Sequence, residues 1–264
     1  MWEKDTAARL RNLDAIIEWL MTDTGQRVAL PADLTGKQRL MRALMNVRPP
    51  KKASKDFLQR QDRELQWQLQ DKGIVEPQGK GLQVWQGDIT RLKVDAIVNA
   101  ANSTLLGCFV PLHSCIDNAI HSAAGVQLRE ACYHIMQAQG HEEAIGTARV
   151  TPAFNLPSRY VIHTVGPIIP DGRPTRKQEE QLASCYRSCL NIAESYGLHS
   201  IALCCISTGV FHFPRQRAAE IAVETARRYP KKNIETIIFN TFKDEDTIIY
   251  HQLVEHANNG EALA

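Results

Sequence analysis

VDAIVNAANSTLLGCFVPLHSCIDNAIHSAAG, residues 94–125, decides the fold. It opens on a short apolar run of strand type, VDAIV, and closes on a helical segment that begins near Ile116. The loop between them is built of small and polar residues. A strand that feeds a helix through such a loop is the repeating unit of α/β domains, whose ligands bind outside the carboxyl ends of the strands. The same texture recurs outward from Leu82. LQVW (82–85), ARVTPAF (148–154), YVIHTV (160–165), SIALCCI (200–206) and ETIIF (235–239) read as strands, near-continuous in apolar character and so buried on both faces. Thr175-x-x-Gln178 is a capping box, after which Leu182, Cys185, Tyr186, Cys189, Leu190 and Ala193 follow helical spacing until Gly197. Arg215–Tyr229 and Asp244–His256 are two further helices. The predicted fold class is α/β, a three-layer α/β/α domain with a mixed central sheet over residues 81–264.

Residues 1–80 read differently, as a helical N-terminal extension. Leu10, Leu13, Ile16, Ile17 and Leu20 share one helical face. A second helix is expected from Gly36 to Val47, ended by Pro49-Pro50, and a third from Ser54 to Lys72, stopped by Gly73. EPQGKG (76–81) reads as a turn-rich linker. The whole chain carries 31 Lys+Arg against 29 Asp+Glu, too even for a chain-wide nucleic-acid binder. The first 80 residues hold 15 basic against 11 acidic side chains, and nine of the basic ones crowd between Lys37 and Arg63. Phe57 is the only aromatic residue among them, which gives poor support to stacking on nucleic acid, so the run is read as a solvated helical face. At 44% hydrophobic and 23% charged, the composition excludes wholesale disorder, collagen and coiled coil. Apolar runs are too short for a membrane span. MWEKDTAARLRNLD (1–14) lacks the apolar core of a secretion signal, and seven cysteines without one fit a reducing cytoplasm. A monomeric cytoplasmic protein is expected.

The loops are where chemistry concentrates. Neither 99–125 nor STGVFHFP (207–214) matches the GxGxxG or GxxxxGK[ST] phosphate signatures. Both run into a helix, however, and two such loops facing each other suit a diphosphate. Within the first lies Cys108-x4-His113-x-Cys115, whose residue types are zinc ligands. Three protein ligands leave one tetrahedral position free, the pattern of a catalytic metal. The spacing alone equally allows two small buried cysteines and an ordinary loop histidine. The helix from Ile116 carries Cys132 away from this loop. Cys204 and Cys205, in an apolar strand, and Cys185 and Cys189, in a helical stripe, are read as core.

GDIT (87–90), VDAIVNAAN (94–102), IDNAIHSAAG (116–125), YVIHTVGP (160–167) and ISTGVFHFP (206–214) together resemble the macrodomain, the ADP-ribose-binding module. The chain departs from the ordinary pattern where hydrolytic macrodomains carry a glycine run. Here GCFVPLHSC (107–115) stands instead, which resembles the zinc-dependent microbial macrodomains that have a helical N-terminal extension and are associated with class M sirtuins.

That resemblance implies that Cys108, His113 and Cys115 bind one zinc ion per chain. It implies that Asp88 accepts a hydrogen bond from the adenine amino group with the Ile89 N–H nearby, and that Phe242 stacks on the base. Asn102 would orient the distal ribose, and Asn99 would either contact the ligand or cap its own turn. The amides of Ile116, Asp117 and Asn118 would meet phosphate while Asp117 reaches toward the ribose, with His121 packed behind it. Ser207, Thr208, Gly209, Val210 and Phe211 would form the second diphosphate loop, Phe211 covering the ribose. The implied activity is zinc-dependent removal of mono-ADP-ribose from protein side chains, as Asp or Glu esters, with Asn102 and Asp117 catalytic. The implied protein partner is a lipoyl-carrier protein modified by a sirtuin. Three alternatives stand beside this reading: a non-catalytic ADP-ribose reader, a hydrolase of free O-acetyl-ADP-ribose, and a nucleic-acid adaptor using Lys37–Arg63.

Overall fold

Strands this apolar must be covered on both faces, and the computed structural model, which describes residues 6–259, covers them with helices. The first five residues of the expected extension and the last five of the expected domain lie outside the described residues. The sheet has six strands: β1 (Gly81–Gln86), β2 (Ala96–Ala100), β3 (Ala148–Pro152), β4 (Tyr160–Thr164), β5 (Ser200–Cys204) and β6 (Thr236–Thr241). Their spatial order is β1-β6-β5-β2-β4-β3. Every neighbouring pair is parallel except β3 with β4, at one edge. The carboxyl ends of the other five strands therefore share one rim.

The extension comprises α1 (Thr6–Thr24), α2 (Leu34–Val47) and α3 (Lys55–Lys72). The domain adds α4 (Ile116–Ala124), α5 (Val126–Gln139), α6 (Arg176–Ser195), α7 (Arg215–Arg228) and α8 (Asp244–Asn258). α6, α7 and α8 pack side by side on one face of the sheet, and α4 and α5 lie against β2 and β3 on the other. α2 and α3 then pack on α4, so the extension forms a partial fourth layer. Its own core of Leu13, Ile16, Ile17, Leu20, Met41, Leu44 and Phe57 continues to Val126 of α5. In the apolar stripe of α1, Leu13, Ile16, Ile17 and Leu20 are buried as the spacing predicted, and Leu10 is half-buried.

Local differences from the sequence reading have simple causes. The Asp33 carboxylate accepts the Gly36 N–H at 2.9 Å, so α2 begins two residues before the expected Gly36. Gly125, at φ +99°, breaks the expected helix from Ile116 into α4 and α5. β5 ends at Cys204, which leaves Cys205 partly buried at the start of the following loop. The 76–81 linker is tethered at its start: the Val75 N–H donates to the Arg91 carbonyl and the Lys93 N–H to the Val75 carbonyl, both at 2.9 Å. The basic run is a solvated face only in part. Arg39, Lys51, Lys52, Lys55 and Arg63 are exposed, but Lys37 pairs with Asp14 and Arg48 with Asp23, and Arg42 reaches Asn118.

At the centre of the extension the buried Glu64 carboxylate takes a two-pronged bond from Arg9, at 2.9 Å on each prong, and accepts from Gln38 and Gln68. One side chain thus links α1, α2 and α3. Removing it leaves the buried Arg9 guanidinium with Asp71, at 2.6 Å, as its carboxylate partner, and costs up to about 3–5 kcal/mol. Glu64→Ala is therefore expected to lose that much in denaturant unfolding; a loss under about 1 kcal/mol, the value of an exposed pair, would show that the link contributes little.

Candidate active site

The shared rim gathers the candidate residues. Asp88 and Ile89 follow β1, the 101–115 loop follows β2, Val165 and Gly166 follow β4, the 205–214 loop follows β5, and Phe242 follows β6. Asp88 caps the single helical turn Ile89–Arg91: its Oδ1 accepts from the Thr90 N–H and hydroxyl at 3.1 and 2.6 Å. Its Oδ2 accepts from Lys72 of α3 at 2.9 Å. Burial opposes ionisation of this carboxyl, but Lys72 and Thr90 together hold it below the ordinary aspartate range. Phe242 stands 75% exposed at the rim and so is no core aromatic.

Cys108, His113 and Cys115 are brought together, with one ligand atom from each lying within 4.8 Å of the others. Cys115 is also the N-cap of α4, its Sγ accepting the Asn118 N–H at 3.4 Å. His113 Nδ1 is buried and has no hydrogen-bond partner among the described residues. Burial, with Cys108 and Asp117 nearby, pushes the Cys115 thiol up to about 11, the Asn118 N–H opposing. A site that resists thiolates while orphaning an imidazole nitrogen is completed by a cation, which stabilises the thiolates and takes the lone pair. The residues present therefore fit a zinc ion. Strain marks the same loops: Leu105 and Leu112 in the first, and Ser207 and His212 in the second, have φ between 56° and 65°. Each costs roughly 1–2 kcal/mol and persists only where the surroundings impose it.

Asn99 and His163 face each other across β2 and β4 and lead into a buried network. The Asn99 amide donates to Asp117 Oδ1 at 2.8 Å and to His163 Nδ1 at 3.1 Å. His163 therefore carries its proton on Nε2, which donates to Thr151 Oγ1 at 2.9 Å. His121 lies behind Asp117, its Nε2 3.5 Å from Oδ1. Burial raises the Asp117 carboxyl to about 6, against the pull of Asn99 and Arg129. His121, Cys132 and His163 also bring ligand atoms within 4.8 Å, yet both His163 nitrogens are committed to protein partners and burial drives the Cys132 thiol far up. Asn99, bonded to both His163 and Asp117, is the hydrogen-bonded support of that carboxylate, whereas both His121 nitrogens are buried without a hydrogen-bond partner among the described residues.

Asn102, not Asn99, caps its own turn, accepting from the Thr104 N–H and hydroxyl and donating to the Gly107 carbonyl. Asn99 lies fully buried beneath the rim. Ile116, Asp117 and Asn118 form the first turn of α4, where N–H groups lack helical partners, although the Asn118 N–H is directed to Cys115. In the second loop, Thr208 Oγ1 bonds the Cys205 carbonyl at 3.0 Å, Gly209 and Val210 are exposed, and Phe211 is half-buried. The glycine that close packing requires is Gly166, where a Cβ would lie 2.1 Å from Ser207 Oγ. Several supporting residues were not singled out from sequence for the site: Arg42, Asn46, Lys72, Arg129 and His163. His163 alone carried a readable signal, as a polar residue amid an apolar strand.

The Macro domain family profile matches residues 98–222. Over 252 residues the chain is 52% identical to a protein-ADP-ribose hydrolase of Treponema medium, covering 90% of this chain and 96% of that one. It is 43% identical over 256 residues to a protein-ADP-ribose hydrolase of Staphylococcus aureus (strain MSSA476), covering 92% and 96%. The solved structure of an Oceanobacillus iheyensis macrodomain variant with ADPR superposes with a TM-score of 0.60 at 38% identity, covering 67% of this chain and 94% of that one.

Burial lowers the pKa of His163 to about 4, against an unfolded value near 6.5. Between those values the unfolded chain binds the proton and the folded chain does not, so stability falls as pH drops through the window, by about 3 kcal/mol in all. Asp117 acts in the opposite sense, losing stability as pH rises toward 6. Comparing His163→Gln with the parent isolates the first effect: unfolding midpoints from pH 4 to 7 should slope less in the variant. Equal slopes would place the His163 proton elsewhere.

Proposed function

The chain belongs to the macro domain family, and from that premise we propose that it is a zinc-dependent hydrolase that removes mono-ADP-ribose from Asp and Glu side chains of proteins. The observation that carries the reading is the Cys108, His113 and Cys115 cluster at the N-terminus of the helix that also bears Asp117. A module that only reads ADP-ribose gains nothing from a ligand triad with an open position.

Asp88, held ionised beside Lys72, accepts from the adenine amino group, and the exposed Phe242 ring covers the base. The first turn of α4 and the 207–211 loop present backbone N–H groups to the diphosphate. These contacts lie far from the reacting carbon, so their binding energy serves to position it. Cys108, His113 and Cys115 hold the zinc ion, which when bound supplies Lewis acidity beside the distal ribose. Asn102 orients that ribose. Asp117, with its carboxyl raised to about 6, can hold a proton or release it near neutral pH. The same reading gives, as protein substrate in the cytoplasm, a lipoyl-carrier protein modified by a sirtuin, for which the exposed Lys51, Lys52 and Lys55 offer positive charge to an acidic carrier.

Metal analysis is expected to find about one zinc per chain, and Cys108→Ala to lose both the metal and hydrolysis of a mono-ADP-ribosylated protein while still binding ADP-ribose. Full turnover after chelation would remove zinc from the mechanism; zinc-loaded protein that binds ADP-ribose without turnover would be a reader.

Asp88→Ala should weaken ADP-ribose binding by about 1–3 kcal/mol, whereas Asn102→Ala should lower kcat far more than affinity. Equal affinity losses in both variants, with unchanged kcat, would contradict this division of roles.

A further inference from the structure

The helical extension reaches the loop that bears the proposed zinc ligands through α2. Arg42 of α2 donates from Nη2 to the His113 carbonyl at 3.2 Å, and from Nε and Nη2 to Asn118 Oδ1 at 3.2 and 2.7 Å. Asn118 passes this on, its Nδ2 donating to the Val110 carbonyl at 3.0 Å. One turn along α2, Asn46 Oδ1 accepts the N–H of Leu112 at 3.0 Å, and its Nδ2 donates to Ser122 of α4 at 3.0 Å. Leu112 is one of the strained residues, at φ 56°. On the other side, Arg129 donates to the Leu106 carbonyl at 2.6 Å, next to the strained Leu105, and its guanidinium lies 4.2 Å from the centre of the Phe109 ring. That guanidinium also takes the carbonyls of Met45 and Asn46 at the end of α2.

We propose that α2 is the scaffold of the zinc site: Arg42 and Asn46 are positioning residues that hold the Cys108–Cys115 loop in its ligating shape before the ion arrives. The inference rests on the zinc reading above. The left-handed Leu112 persists where its surroundings impose it, and the α2 residue Asn46 takes its N–H, while Arg129 of α5 holds the Leu106 carbonyl beside the left-handed Leu105. Pre-forming the ligand set spares the ion the cost of ordering it, and partners outside the ligand shell are typically worth about 10–100-fold in metal affinity.

The test uses the full chain with Arg42→Met, Asn46→Ala and Asn46→Asp, the last keeping the acceptor for the Leu112 N–H. Amide hydrogen exchange of metal-free protein is read at residues 108–115 and, as a control, in β2 and β5. Zinc affinity is read by competition with a chromogenic chelator. Arg42→Met and Asn46→Ala are expected to speed exchange in 108–115 about tenfold or more with the control strands unchanged, and to weaken zinc by about 10–100-fold. Asn46→Asp should stay near the parent in exchange. Unchanged exchange at 108–115 in both Arg42→Met and Asn46→Ala overturns the proposal, as does faster exchange that spreads equally to β2 and β5 in every variant. If the parent takes up no zinc, the functional reading fails, and the exchange comparison still decides whether α2 holds the loop.

Discussion

A single buried guanidinium ties this molecule together. Arg129 stands on α5 with its side chain closed off from solvent, where an isolated charge is costly. It is offset by carbonyls: Met45, Asn46 and Arg48 at the end of α2, and Leu106 in the loop that follows β2. Helix ends leave such carbonyls without partners and carry partial negative charge, so a cation there satisfies both needs. Burial, opposed by Asp117 and reinforced by Arg48, draws its pKa down to about 10, still well above neutrality. The charge therefore persists, and with it the obligation to keep extension, loop and α5 in contact.

Behind the rim lies a second tier built on β2 and β4. Parallel register places Asn99 beside His163, and α4 lowers Asp117 onto Asn99. The outer tier of Asn102, the ligand triad and Phe242 is reachable from solvent, while the inner tier decides how Asp117 is held. This division separates groups open to solvent from groups that surround a buried carboxylate.

The fold was legible because its signals are local. SIALCCI and VDAIV are too apolar for anything but a covered strand, and Thr175 and Gln178 close the capping box that their spacing announced. The clustering of Cys108, His113 and Cys115 was legible because they sit within eight residues of sequence. What escaped depends on long-range pairing. That Asn99 turns inward is set by its place in β2 opposite His163 of β4, and Asn102 lies past the strand in its own turn, which no spacing within NAAN reveals. Arg42 looked like a member of a solvated basic run and Lys72 like the end of a helix, since their partners Asn118 and Asp88 lie 76 and 16 residues away. Gly166 reads as an ordinary turn glycine until the Ser207 hydroxyl is seen against it.

The attachment of the 107–115 loop to α2 bears on how such a site can be inherited or moved. The proposed zinc ligands and the α2 residues beside them are separated in the chain by α3, β1 and β2, yet α2 and the loop share hydrogen bonds at Leu112 and His113. Transplanting GCFVPLHSC into a macrodomain without the three-helix extension would carry the ligands and leave their brace behind. Recombination that divides the chain near the 76–81 linker would do the same. Loop and extension form one unit of inheritance, and a gain or loss of either alone leaves a seam that the other cannot close.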